Sequence, residues 1–232
     1  RAADGSDKVY GINDTTAEGV SAREAFSKGL KNLRAYTDAK IVVTFLGNIN
    51  NGTGEEMGTE ERHNAAMTGA ASDVLTENIL AFVGEFGFDG VSFDYEYPSA
   101  ASSFENFTGY LEKLHTAMDG KFGAGEKLLT AAISEWQLGT ASFTPENLDV
   151  LDRIEVMAYD LFDDHGNHSS FYSACYLLIG QLEEKGIDLG KINLGLPFYS
   201  RPENGDSFWG NYFEVAEELG EWDNAFYYNE YT

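Results

Sequence analysis

Apolar runs of strand length and amphipathic runs of helical length alternate about five times along this chain. The runs Ile41–Leu46, Leu128–Ile133, Ile154–Asp160 and Ile192–Tyr199 are short, apolar and β-branched, as strands covered on both faces are. Phe88–Pro98 differs, because it alternates at period two. Ser92, Asp94 and Glu96 share one face of that strand, and Val91, Phe93 and Tyr95 share the other. Between the strands lie helical patterns. Ser21 is placed as an N-cap with Glu24 three residues on, a capping box. The helix that follows runs to about Tyr36 and is expected to bury Ala22, Ala25, Phe26, Leu30 and Leu33. Further helices are expected over Arg62–Phe86 with Gly87 as C-cap, over Phe104–Met118, over Phe171–Lys185 with Gly186 as cap, and over Tyr212–Leu219. Pro145–Leu151 reads as a short helical turn, and Val9–Ile12 as a possible first short strand. Strand–helix alternation of this kind is a parallel α/β architecture.

Charge narrows the function. The 232 residues carry 39 acidic and 15 basic side chains, a net charge of −24. Such acidity repels phosphate backbones and anionic membranes, so neither nucleic acid nor membrane insertion is expected, and a neutral substrate fits better. Hydrophobic residues are 43% of the chain, enough for a sizeable core, and the longest apolar run is far too short to span a bilayer. Cys175 is the single cysteine, so no internal disulfide forms, and it reads as a small core residue. The first residue is Arg1 and no signal peptide is evident; a processed or cut piece, secreted or at the cell surface, is the expectation.

The chemistry gathers on the alternating strand. Pro98 cannot continue a central ladder, so Glu96 lies at its C-terminal end. Asp94 and Glu96 then project one above the other into a shared space. Paired carboxylates so placed are kept for acid–base chemistry or metal binding. Asn48, Trp136, Asp160 and Arg201 also fall at or near strand C-terminal ends, the active face of a (β/α) barrel. Asp163, Asp164, His165 and His168 suggest metal ligands only weakly, with no cysteine or matching set elsewhere. No metal or cofactor is expected.

Asp89-Gly90-Val91-Ser92-Phe93-Asp94-Tyr95-Glu96 resembles the D-G-x-D-x-D-x-E signature of family-18 glycoside hydrolases, the chitinases and endo-β-N-acetylglucosaminidases. Met157-Ala158-Tyr159-Asp160 is similar to that family's M-x-Y-D strand, and Gly195–Arg201 to its G-x-P-x-Y-G-R strand. The resemblance spans about residues 40 to 201 and implies an α/β (β/α)8 TIM barrel, of which this chain carries strands three to seven. A single barrel domain over residues 1–232, truncated at both ends, is therefore expected, with the remaining strands supplied by the parent chain.

The implied reaction is cleavage of β-1,4-linked N-acetylglucosamine polymers, chitin-like first. The alternatives are action on N-glycan cores, a non-catalytic sugar-binding relative, or a metal-dependent hydrolase built on Asp94, Glu96 and Asp160. By the resemblance, Glu96 is the acid and later the base, Asp94 holds the acetamido N–H, and Tyr159 donates to the acetamido oxygen. Asp89 and Ser92 support them. Met157, Asp160, Tyr199, Arg201, Trp136 and Asn48 line the substrate. Ser92 stands where the family usually has Asp. A neutral hydroxyl there is expected to let Asp94 stay ionised more readily than in those relatives, and so to help keep Glu96 protonated.

Overall fold

The architecture was described in a computed structural model, which describes residues 21–48, 60–161, 175–199 and 211–219. The expected Val9–Ile12 strand, Asp163 to His168, Arg201 and the start of the Phe171–Lys185 helix lie outside them, as do the side chains of Asn48 and Cys175.

Among the described residues five strands form one parallel sheet in sequential order: β1 (Val42–Asn48), β2 (Gly90–Glu96), β3 (Leu128–Ser134), β4 (Arg153–Met157) and β5 (Ile192–Leu194). Each strand pairs with the next in the chain and the crossovers carry helices, as in a TIM-barrel-like α/β fold. Among the described residues, β1 and β5 each have a neighbour on one side only.

The helices are α1 (Ala22–Tyr36), α2 (Glu60–Met67), α3 (Gly69–Phe86), α4 (Ala101–Phe122), α5 (Glu135–Leu138), α6 (Pro145–Leu148), α7 (Cys175–Lys185) and α8 (Tyr212–Leu219). The Ser21–Glu24 capping box forms as expected. Gly87 and Gly186 end α3 and α7 in the left-handed region, at φ 68° and 84°.

Two sequence patterns map directly onto the core. Along α4, Phe104, Phe107, Leu111, Leu114 and Met118 recur at helical spacing, and all are buried. They meet the outer face of the sheet, where Val91, Phe93 and Tyr95 of β2, Leu129, Ala131 and Ile133 of β3, and Ile154 and Val156 of β4 are buried. The face of β2 that carries the carboxylates is therefore the inner one. Strand starts are stitched by aspartates. Asp89 accepts the Ile41 N–H at 2.7 Å and Asp152 accepts the Leu129 N–H at 2.8 Å.

Four expectations need correction. The Arg62–Phe86 helix is two helices, because Thr68 is extended and Gly69 adopts φ 55°, a conformation that ends a right-handed turn. The strand expected over Ile154–Asp160 ends at Met157: the Ala158 N–H turns back to the Val156 carbonyl and Asp160 takes φ 59°. The run Ile192–Tyr199 forms only three residues of strand: the Gly195 N–H still reaches the Val156 carbonyl, and the ladder stops there because its partner β4 ends at Met157. The apolar face of α1 is not fully buried either. Phe26 stays 38% exposed and Leu33 48%, beside an apolar groove of about 780 Å³ between α1 and β1.

Candidate active site

β2 delivers its inner-face residues in ascending order. Ser92, deepest, is 4% exposed, and Asp94 and Glu96 above it are half-buried. Asp94 and Glu96 share one face of β2, close enough that the Glu96 charge opposes ionisation of Asp94. Burial and then Glu96, with a smaller contribution from Glu155, push the Asp94 carboxyl up to about 6. Asp94 thus holds its proton more firmly than an ordinary aspartate does. Its Oδ1 is buried and accepts no hydrogen bond among the described residues.

Ser92 adds a further acidic neighbour to this space. Its hydroxyl donates to Glu155 Oε2 at 3.0 Å, not to Asp94. Glu155 lies on the inner face of β4, in register with Ala132, which itself pairs with Asp94. A third carboxylate therefore lies level with Asp94, two strands away. The sequence reading missed Glu155, although it shares the face of Met157 by simple alternation.

Tyr159, beyond the end of β4, enters the same electrostatic neighbourhood. Burial raises its hydroxyl above the usual tyrosine range, and the charges of Asp94, Glu96 and Asp160 add to the rise. Gly195 makes that position possible. A Cβ there would sit 2.7 Å from Tyr159 Cε1 and 2.9 Å from the Val156 carbonyl oxygen. Tyr199 packs edge-on to Tyr159 at 6.3 Å between centroids, and its hydroxyl donates to Asp160 Oδ1 at 2.8 Å. Met157 is half-buried on the inner face of β4, in register with Ser134.

The rim is aromatic. Tyr97 follows Glu96 through a cis peptide, and Glu96 and Ser134 are the polar groups that act on its hydroxyl. Burial and the Glu96 contact raise the Tyr97 hydroxyl. Ser134 ends β3 and caps α5 in a reciprocal box with Gln137, which stations Trp136 beside Tyr97 at 5.7 Å between ring centroids. Trp136 is 47% exposed and Tyr97 36%, so the pair presents ring surface to solvent.

Behind the strand end, Glu60 at the start of α2 accepts hydrogen bonds from the Ser99 N–H (2.7 Å), the Ser99 hydroxyl (2.7 Å) and the Ala100 N–H (2.9 Å). Burial works against its ionisation. The bonds from Ser103, Ala100 and Ser99 outweigh burial and hold its carboxyl at about 2.

Asp94, Glu96, Tyr159, Asp160, Tyr199, Trp136 and Ser92 thus gather around the C-terminal ends of β2 to β4. Asp89, expected to support them, does not. It precedes β2 by one residue, roughly 20 Å from Glu96 along the strand. There it pairs with Arg34 at 2.7 Å and ties α1 and β1 to the bottom of the sheet. Asn48 is in register with Glu96 by its backbone. Among the described residues no group of three or more His, Cys, Asp and Glu side chains is arranged to hold a metal ion. No described helix is long and apolar enough to cross a membrane.

Known proteins share both pattern and fold. The chain is 27% identical over 191 residues to a probable endochitinase of Caenorhabditis elegans, covering 72% of this chain and 30% of that protein. It is 25% identical over 226 residues to the endochitinase of Manduca sexta, covering 87% and 40%. The chain therefore spans well under half the length of these relatives. A mutant of the class V chitinase of Nicotiana tobaccum, solved in complex with NAG4, superposes with a TM-score of 0.63 at 19% identity, covering 88% of this chain and 67% of that one. The family model described as glycosyl hydrolases family 18 matches residues 16–230, nearly the whole length, and the chain belongs to that family.

Proposed function

We propose that this chain carries the catalytic machinery of a glycoside hydrolase that cleaves β-1,4 linkages in N-acetylglucosamine polymers, chitin-like first, with the substrate's own acetamido group as nucleophile. One observation supports this above the rest. Asp94 Oδ1 is a buried acceptor without a donor among the described residues, directly below Glu96. A buried acceptor left unpaired is costly, and a bound acetamido N–H supplies the missing donor. The NAG4 complex of the tobacco protein supports the same ligand class.

In this reading the acetamido oxygen attacks the anomeric carbon while Glu96 gives its proton to the departing glycosidic oxygen, and the C–O bond breaks. Asp94 accepts the acetamido N–H and balances the charge of the oxazolinium ring. Tyr159 donates to the acetamido oxygen and aligns it. Water then adds to the anomeric carbon from the face the leaving group vacated, Glu96 takes its proton, and the acetamide is restored. Two displacements leave the configuration unchanged. The Tyr97–Trp136 rings offer a stacking surface for a neighbouring sugar, and Asp160, held by Tyr199, accepts from sugar hydroxyls. Arg201, Met157 and Asn48 complete the substrate contacts.

The five strands are the third to seventh of an eight-stranded barrel, residues 1–232 form one domain of it, and the parent chain supplies the rest. A polymeric substrate suits a secreted or cell-surface setting. The test is Glu96→Gln. Hydrolysis of chitin oligosaccharides should fall by roughly 10²–10⁴-fold, with sugar binding retained. Activity within a few-fold of the unaltered chain would remove Glu96 from the reaction.

A further inference from the structure

Ser92 leaves the bottom of the β2 face without a carboxylate of its own, yet the space is not neutral. Asp94, Ala132 and Glu155 lie in one row across β2, β3 and β4. Two strand spacings, roughly 10 Å, separate the backbones of Asp94 and Glu155. The methyl of Ala132 leaves the gap open, and the glutamate side chain leans across it as far as the Ser92 hydroxyl, 3.0 Å from Oε2. We propose that Glu155, tethered by Ser92, is a positioning residue that supplies from β4 the second inner carboxylate of the site and so sets how firmly Asp94 holds its proton. This rests on the reading of Asp94 as the acetamido-binding group.

The charged and titratable groups facing Asp94 are Glu96 on its own strand and Tyr97 just beyond it, Glu155 on β4, and Tyr159 and Asp160 after β4. Arg153 shares the inner face of β4 two residues below Glu155, but its guanidinium is exposed and donates to the Asp152 carbonyl. On β3 the neighbours are Thr130, Ala132 and Ser134, which carry no charge. Removal of the Glu155 charge therefore removes a carboxylate that, together with Glu96, resists ionisation of Asp94. A merely structural tie between strands behaves differently. Glutamine at 155 keeps the length and an oxygen to accept from Ser92, so a tie survives Glu155→Gln while the charge does not.

The experiment follows the Asp94 carboxyl carbon by NMR against pH in the whole chain labelled with [13C]aspartate, with Asp94→Asn to assign the resonance and no sugar present. In Glu155→Gln the Asp94 midpoint should fall by about half a pH unit or more, and Ser92→Asp/Glu155→Gln, which returns a carboxylate to the inner face from β2, should raise it again. A midpoint within 0.2 pH unit (about the precision of the titration) of the unaltered chain in Glu155→Gln overturns the proposal. Should Glu155→Gln not fold, Ser92→Ala decides, since it frees Glu155 from its tether and should also lower the midpoint; no change there overturns it equally. The readout needs no turnover. A chain that cleaves no chitin oligosaccharide but shows the shift refutes the proposed function and keeps this inference, and the reverse result refutes only this one.

Discussion

Glu60→Gln removes a latch that sits three residues beyond the proposed acid. The carboxylate accepts three hydrogen bonds from Ser99 and Ala100, which join the end of β2 to the start of α4. Its fall from the ordinary 4.5 to about 2 corresponds, at about 1.4 kcal/mol per pH unit, to roughly 3 kcal/mol as an upper bound. Solvent reaches the carboxylate, and screening brings the expected contribution to about 1–2 kcal/mol. For a chain of this size that lowers the melting temperature by roughly 3–6 °C. The sign follows from linkage. The folded value is depressed, so the stabilisation is complete above about pH 4.5 and is lost as pH falls towards about 2. Thermal melts of both proteins at pH 7 and pH 3 check this: the gap between them should be open at pH 7 and reduced by more than half at pH 3. An equal gap at both pH values, or none at pH 7, would refute the reasoning. If Glu60 also steadies Glu96, the variant should lose rate on chitin oligosaccharides at 25 °C, where it is fully folded.

Asp94 should show the opposite linkage. Its folded value is raised to about 6, so its contribution is intact below about pH 4 and is lost as pH rises through 6; Asp94→Asn should therefore melt about 2–4 °C higher than the unaltered chain at pH 8 and no higher at pH 4. Gly195→Ala should push on the Tyr159 ring and the Val156 carbonyl, lowering stability by about 1–3 kcal/mol and turnover by roughly tenfold or more, read from melts and from initial rates measured well below the melting temperature; unaltered turnover in a folded variant would show that the ring's place is not set by this contact.

The five strands were legible because parallel strands covered on both faces are uninterrupted apolar runs, and Leu128–Ile133 has no other comfortable reading. Their ends were less so. β4 ends at Met157, where the Ala158 N–H turns back to Val156, and β5 ends at Leu194 because that partner has ended, while the apolar runs themselves continue past both points. The Asp94–Glu96 pair follows from period two alone. The partner of Ser92 does not, because it lies two strands away and depends on Ala132 being small. The motif that identified Asp94 and Glu96 also drew in Asp89, although a position before the strand places it at the bottom of the sheet beside Arg34. The exposed flank of α1 was unforeseeable from its own periodicity, which reports an apolar face without saying how completely it is covered.

Sequential pairing of the strands has a bearing on how the site is assembled and protected. Among the described residues every strand of the sheet pairs with the next in the chain, so β2 is enclosed once its two immediate neighbours have formed, before β5 need be in place. Its amides are bonded to β1 and β3 and lie beneath α3 and α4, whereas β5 contributes three residues held from one side. Opening should then proceed from the margins inward. Hydrogen exchange should be slowest over Val91–Asp94 and fastest among the strands at Ile192–Leu194, so the carboxylate pair rides on the last ladder to come apart.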